Sequence, residues 1–231
     1  MSDSFWVSAV HGSSFLALAG VTALSLRRAL RMKLTRGFWF LVVFGLLQGG
    51  KALCDLAPFY GRGARESCPP WLAGLSAVLL WTSFIALLEF ALTVLTLRES
   101  GPDVFGFPFL LAGVLAAAFL SSGRLEPEFA DTLGRIGLAL PATVGTAAAF
   151  FILGRKVASL GRTDMAHGAR LAAGAFFAYG VFVTTLSPEV AGLPVPLLRA
   201  ACAVAVTVAT AFFLHGFGTG AVPGKSPPET P

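Results

Sequence analysis

Charged side chains are scarce in this sequence, and their scarcity argues against a soluble protein. The 231 residues include only 12 acidic and 17 basic side chains, so charged residues make up 13% of the chain, roughly half the share typical of soluble domains. Hydrophobic residues make up 55%. A soluble enzyme does not fit this composition.

The sequence also lacks the recurring motifs of catalysis and metal binding. It has no metal-ligand spacing, nucleophile elbow, phosphate-binding loop or Ser/His/Asp set. A net charge of +5 would favour a nucleic-acid partner in a soluble chain, but these basic residues flank apolar runs, where they set membrane orientation. We therefore expect a non-enzymatic protein that has no nucleic-acid partner and whose sequence requires no cofactor or metal.

Long apolar runs dominate the chain and predict a polytopic membrane protein. Seven runs of about 18 to 25 residues are nearly free of charge, and this is the length that crosses a hydrocarbon core of about 30 Å. They cover residues 5–26, 37–57, 71–97, 105–122, 132–153, 169–187 and 195–215. The predicted fold is an all-α bundle of seven transmembrane helices over residues 1–216, followed by a proline-rich cytoplasmic tail over residues 217–231.

Basic residues predict the orientation of the bundle. The segment 27–36 holds five bases and no acid, and basic loops of membrane proteins stay on the cytoplasmic side. With this segment inside, 11 of the 17 bases lie on the inner side. The first run follows Asp3 rather than a positive segment, so we interpret it as a retained span and not a signal peptide. The N-terminus is expected outside and the C-terminus inside.

Two predictions concern packing within the bundle. Ala201, Ala205 and Ala209 recur at four-residue spacing in the last span, and such a small face lets helices approach closely. The fifth span is likewise rich in Gly, Ala and Thr around Pro141, so we expect these two spans to be interior helices of the bundle. Trp81 lies away from the ends of its span, so we expect it to pack between helices.

Glu89 is the one ionisable residue that lies deep in a predicted span. A charged group near the bilayer centre costs a few kcal/mol or more unless it is paired or hydrated, so Glu89 is expected to face the bundle interior. One interpretation makes it a proton-responsive or ligand-sensing carboxyl. The other is purely structural, with a protonated Glu89 in an interhelical hydrogen bond.

A polar stripe follows one face of the second span. Lys51 and Asp55 are four residues apart and therefore pair on one helix face, and Gln48 lies on the neighbouring turn. The stripe lines an outward-facing cavity for a small ligand, or else it simply closes the end of the helix. Lys51 and Arg199 lie just inside predicted spans, so both are expected to snorkel toward the outer headgroups.

Histidines and cysteines add three further candidates. His11, near the outer end of the first span, and His215, at the inner end of the last, are each candidates for a single pigment ligand, because neutral imidazole binds heme or chlorophyll. About 20 Å or more along the spans separates them, so a shared site is not expected, and His167 falls in an inner loop. Cys54 and Cys68 both lie on the predicted outer side, where an oxidising compartment permits a disulfide.

Three short segments carry a family resemblance. They read FGLLQGGKALCDL in the second span, SFIALLEF in the third and GLPVPLLRA before the last. In order and spacing, over about residues 38–215, they resemble the membrane input regions of bacterial sensor histidine kinases and diguanylate cyclases. Asp55, Glu89 and Arg199 match that pattern, whereas Gln48 stands where the family often has His. The resemblance implies a multi-pass protein of the bacterial inner membrane.

Such input regions continue into a cytoplasmic output domain, whereas this sequence ends at Pro231 without heptads. We expect either an excised input module or a stand-alone protein that acts through a partner. The first hypothesis is a sensor-type module that changes helix packing in response to a cue from the membrane and passes it to a partner protein. The alternative is a small accessory subunit of a larger respiratory or photosynthetic complex, and a transporter is a weaker third.

Overall fold

The fold is a bundle of long helices, as described by a computed structural model. The structure describes residues 3–28, 35–60, 70–96, 127–185 and 187–218. Its helices are α1 (Asp3–Arg28), α2 (Thr35–Tyr60), α3 (Pro70–Leu95), α4 (Pro127–Gly134), α5 (Leu140–Ser159), α6 (Thr163–Thr184) and α7 (Val195–Gly218). A π turn, Arg135–Ala139, joins α4 and α5 into one helical run. A small hairpin of β1 (Glu189–Val190) and β2 (Leu193–Pro194) connects α6 to α7.

The six long helices within the described residues form a closed ring. Each of α1, α2, α3, α5 and α6 packs against the next in that order, and α7 packs against both α6 and α1. Every one of the six contributes at least one fully buried phenylalanine to a shared core. These residues are Phe15, Phe44, Phe84, Phe90, Phe150, Phe176 and Phe213. Most of their rings meet edge-to-face or tilted, as do Phe15 and Phe44 at a centroid distance of 5.2 Å, whereas Phe150 and Phe176 stack at 5.6 Å; the ring quadrupole favours edge-to-face and offset-stacked pairs.

Five described helical runs are long and apolar enough to cross a membrane, which confirms an all-α, multi-pass membrane protein. They are Phe5–Arg27, Gly37–Ala57, Gly74–Leu95, Asp131–Ser159 and Val195–Gly216. Large apolar side chains on their outer faces, among them Trp6, Trp39 and Phe212, are exposed and contact lipid in a bilayer. The predicted span 105–122 and the tail from residue 219 lie outside the described residues.

Helix α6 corrects the predicted boundary of the sixth span. It begins at Thr163, six residues before the predicted start, so His167 lies within a helix and not in a loop. Asp164 stands in the first turn, where a carboxylate favours the positive end of the helix dipole. Because these first two turns are polar, the apolar run alone does not reveal them.

Two of the three regularly spaced alanines in α7 lie outside its buried face. Ala201 and Ala205 are exposed, and the buried face instead passes through Ala203, Val206 and Thr210. Small residues lie on several sides of α7, so alanine spacing does not mark the packed side, whereas alternation of three and four residues does. The prediction for Trp81 is confirmed, since it packs against the core cluster.

Two glycines permit close helix contacts. A Cβ atom at Gly45 would lie 2.6 Å from the Phe15 carbonyl oxygen of α1, and one at Gly168 would lie 2.8 Å from the Phe213 backbone nitrogen of α7. Backbone cannot yield as a side-chain tip can, so these contacts require glycine.

Candidate functional site

A polar cavity of about 120 Å³ lies at the end of the bundle where α1 and α7 begin, hereafter the cavity end. Its walls come from α1, α2, α3, the π turn, α6 and α7. The polar and charged lining residues are Ser8, His11, Gln48, Lys51, Asp55, Arg135, Tyr179 and Arg199. A cavity of roughly 150 Å³ holds a molecule the size of benzene, so this one accommodates a group of several heavy atoms.

Five residues singled out in the sequence meet in this cavity. Gln48, Lys51 and Asp55 share one face of α2, and the ring brings His11 of α1 and Arg199 of α7 against that face. Positions nearly 190 residues apart in sequence thus form one site because α7 closes the ring on α1.

Lys51 and Asp55 form an ion pair along α2. The Lys51 Nζ lies 2.6 Å from the Asp55 Oδ2, and Ser76 of α3 donates a hydrogen bond to the Asp55 Oδ1 at 3.0 Å. Both carboxylate oxygens therefore have a partner, and the aspartate holds α3 beside α2.

Arg199 ties α7 to the end of α6. Its Nε donates to the Phe182 carbonyl at 2.8 Å, and its Nη2 donates to the carbonyls of Val183 and Thr185 at 3.2 and 3.0 Å. The last carbonyls of a helix lack intrahelical partners and carry partial negative charge. Instead of snorkelling to the headgroup layer as expected, Arg199 satisfies this helix end from the neighbouring helix.

Arg135 enters the cavity from the start of the π turn. Its Nε lies 2.5 Å from the Asp131 Oδ2, one turn earlier. The π turn follows from Pro141, which has no N–H to donate and whose ring clashes with the carbonyl four residues before it, at Gly137. π turns occur frequently at functional sites, and here the turn carries a cation into the cavity.

Aromatic rings connect the cavity to the core. The His11 ring stacks on Tyr179 with centroids 6.0 Å apart and meets Phe15 edge-on at 5.0 Å. Phe15 in turn contacts Tyr179 at 5.3 Å and Phe44 at 5.2 Å. A shift of His11 or Tyr179 therefore directly changes the side-chain packing at the centre of the bundle.

Gln48 is 1% exposed and belongs to a buried hydrogen-bond chain. Its Nε2 donates to the Ser83 Oγ at 2.8 Å, and Ser83 donates to the Leu80 carbonyl at 2.7 Å. Buried polar groups are costly unless they are paired, and this chain pairs them between α2 and α3.

Other sequence candidates lie elsewhere. Glu89 is 2% exposed, which agrees with the expected inward position, but it does not line the cavity. Its Oε1 has no hydrogen-bond partner within the described residues. His215 is exposed near the far end of α7. Cys68 lies outside the described residues, so its disulfide with Cys54 stays a prediction.

The pigment hypothesis for His11 gains no support from the cavity. Sites for drug-sized ligands occupy about 300–1,000 Å³, well above the volume of about 120 Å³ here. Among the described residues, no group of three or more His, Cys, Asp or Glu side chains is placed to hold a metal ion.

Sequence reasoning missed Arg135 and Tyr179. Arg135 follows Asp131 by four residues and precedes Pro141, a combination of ion pair and helix distortion that could have drawn attention. Tyr179 is one of only two tyrosines and lies within a predicted span, where a hydroxyl requires a polar neighbour.

Comparisons with protein-family models, with curated proteins and with solved structures give no match. The geometry of the cavity and the identity of its lining residues are therefore the basis for inferring function.

Proposed function

We propose that this protein is a sensor-type membrane module, in which a small ligand in the cavity changes the packing of α6 against α7 and a partner protein receives that change. One observation carries the proposal: Arg199 lines the cavity and also holds the end of α6. A ligand that draws the guanidinium toward itself weakens this tie and so favours one helix packing over another. The similarity to sensor input regions supports the same role.

The proposal includes seven spans, and the direction of the helices supports this number. Leu80 of α3 and Arg135 of the π turn both line the cavity, so α3 and the α4–α5 run both start near the cavity end and run the same way. A further span between these two parallel runs is therefore part of the proposal. The predicted span 105–122 supplies it.

The proposal also places the cavity on the outer side of a bacterial inner membrane. Several of the described basic residues do not line the cavity and lie toward the opposite end of the bundle. They are Arg27, Arg155, Lys156, Arg162 and Arg170. Bases concentrate on the cytoplasmic side of membrane proteins. A cue from outside the cell, or from the outer leaflet, would thus reach the cavity.

A cavity-filling variant tests the proposal. Ser8→Phe places a ring in the cavity, and Ser13→Phe places the same ring on the exposed face of α1. The tagged protein is extracted from its native membrane in mild detergent, and co-purified proteins are identified by mass spectrometry. We expect a kinase, a cyclase or a response protein whose output changes with Ser8→Phe and not with Ser13→Phe.

Two results would contradict the proposal. Recovery with electron-transfer or pigment-binding chains would favour the alternative of an accessory subunit in a larger complex. An unchanged partner output in the Ser8→Phe protein would separate the cavity from signalling.

A further inference from the structure

We infer that the cavity binds a monoanionic oxyanion group, a carboxylate or a phosphodiester, against Arg199. The inference rests on the proposed function, because it names the ligand class of the same cavity. Of the described residues that line the cavity, three are cations, Lys51, Arg135 and Arg199, and one is an acid, Asp55. The lining thus favours negative charge.

Among the described residues, pairing within the site leaves one positive charge without an acidic partner. Lys51 pairs with Asp55, and Arg135 pairs with Asp131. Arg199 donates only to backbone carbonyls at the end of α6, and the partial negative charge of that helix end, about half a unit, balances the guanidinium only in part. A partly buried cation without an anion is costly, and one ligand of charge −1 would neutralise it.

Free donors face the same ligand. Within the described residues, the Arg199 Nη1 makes no hydrogen bond, and neither does the Tyr179 hydroxyl. Guanidinium and hydroxyl donors form short, strong hydrogen bonds to carboxylate and phosphate oxygens. Both groups belong to cavity-lining residues, so a bound oxyanion satisfies them together.

Other ligand charges fit less well. A cation would meet three positive side chains, and the Asp55 carboxylate already has Lys51 and Ser76 as partners. A neutral ligand would leave the charge of Arg199 balanced only in part, by the carbonyls at the end of α6. The apolar part of the wall, formed by Leu80, Val183 and Pro196, suits a short hydrocarbon substituent next to the anionic group.

Butyrate and its neutral amide, butyramide, provide the test. The full chain is purified in dodecyl maltoside, a neutral detergent without phosphate, and binding is followed by calorimetry and by the rise in the unfolding temperature. We expect saturable binding of butyrate and at least about tenfold weaker binding of butyramide, because the amide has no charge for Arg199.

A charge series then checks that the cavity is the site. Asp55→Asn raises the net charge of the lining by one and should tighten butyrate binding, and Lys51→Gln lowers it by one and should weaken binding, each by about tenfold. Arg199→Gln should abolish binding. Arg162→Gln is the matched control, since Arg162 also donates to a helix-end carbonyl, that of Gly216, but lies outside the cavity. The Lys51 and Asp55 variants decide the outcome if Arg199→Gln does not fold.

A second arm identifies the source of the anion. If phosphatidylglycerol added to the detergent micelles competes with butyrate, the ligand group is a lipid phosphodiester, and if it does not, the ligand is a soluble carboxylate. The inference would be overturned if butyramide bound as tightly as butyrate, or if the butyrate affinities of the variants did not follow the net charge of the lining. The absence of saturable binding of both butyrate and phosphatidylglycerol would overturn it as well. Butyrate binding that follows the charge series, together with a partner output insensitive to Ser8→Phe, would instead overturn the sensor function and leave the anion site.

Discussion

At the scale of single residues, Arg199 links the cavity to the helix packing. Its planar fork reaches three carbonyls at the end of α6 while it lines the cavity. The ammonium group of a lysine is a compact point charge and cannot donate to the same three carbonyls in this planar geometry. The side chain therefore has a structural and a ligand-facing role that separate variants can distinguish.

Arg199→Lys is expected to destabilise the bundle while keeping its charge. Loss of one or two charge-assisted hydrogen bonds should cost about 1.5–3 kcal/mol, measured as the free energy of unfolding in detergent. Arg162→Lys should cost less, because the two hydrogen bonds of Arg162, to the Gly216 carbonyl at 3.4 Å and to the Met165 sulfur at 3.6 Å, are both long. Equal losses in the two variants would show that the tie to α6 contributes nothing specific.

Glu89→Gln is expected to assemble normally, because the amide has the same shape and is neutral. Any pH-dependent output of the proposed signalling module should change, since the variant removes the titratable group that is buried in α3. The measurement is partner output against pH for both proteins. An identical pH response would leave Glu89 a structural residue.

Sequence alone identified most charged members of the cavity but not their roles. Scarcity of charge made Lys51, Asp55 and Arg199 conspicuous, and helical spacing correctly paired the first two. The contacts of Arg199 depend on where α6 ends, which no local pattern shows. Arg135 was missed because, in the sequence, its pairing with Asp131 four residues earlier is typical of an ordinary ion pair on a helix surface. Only the packing of the helices into a ring places it in the cavity lining.

At the scale of elements, helix existence was easier to predict than helix limits. The apolar runs located α2 and α7 closely, since lipid solvation demands an unbroken apolar stretch. Helix α6 extends further because its first two turns are polar yet hydrogen-bonded. The π turn depends on a single proline within an otherwise regular run, and periodicity averaged over a run does not resolve it.

The contact between α6 and α7 predicts contrasting effects of two glycine substitutions. Gly168→Ala should lower stability by about 1–3 kcal/mol, because overpacking against the Phe213 backbone forces α7 away. Gly174→Ala, on the same helix with no atom within 4 Å of the new Cβ, should be neutral or stabilise by up to about 1 kcal/mol. Unfolding in detergent measures both. Similar losses in both would contradict the close packing of these helices.

At the scale of the whole molecule, ring closure creates the site. No single helix carries the cavity, and α1 and α7 become neighbours only when the bundle is complete. Sequence patterns report each helix separately, so they predicted a helical bundle without its order of contacts. The shared phenylalanine core explains why the ring closes, since each of the six helices buries a phenylalanine side chain in the middle of the ring.

The proposed orientation predicts which ends of the bundle react with a membrane-impermeant thiol reagent. In a background without native cysteines, Trp71→Cys at the cavity end and Leu160→Cys at the far end replace side chains that are 68% and 75% exposed. Position 71 should react in intact cells, and position 160 only after permeabilisation. The opposite pattern would place the cavity on the cytoplasmic side.

The most direct test of the ligand cavity is native mass spectrometry of the full chain released from its own membrane. The wild-type protein and Ser13→Phe should each carry a bound small molecule or lipid of defined mass. Ser8→Phe should not carry it, because its ring occupies the cavity. A bare wild-type protein, or the same adduct on all three proteins, would show that the cavity between α1, α2, α6 and α7 is not a ligand site.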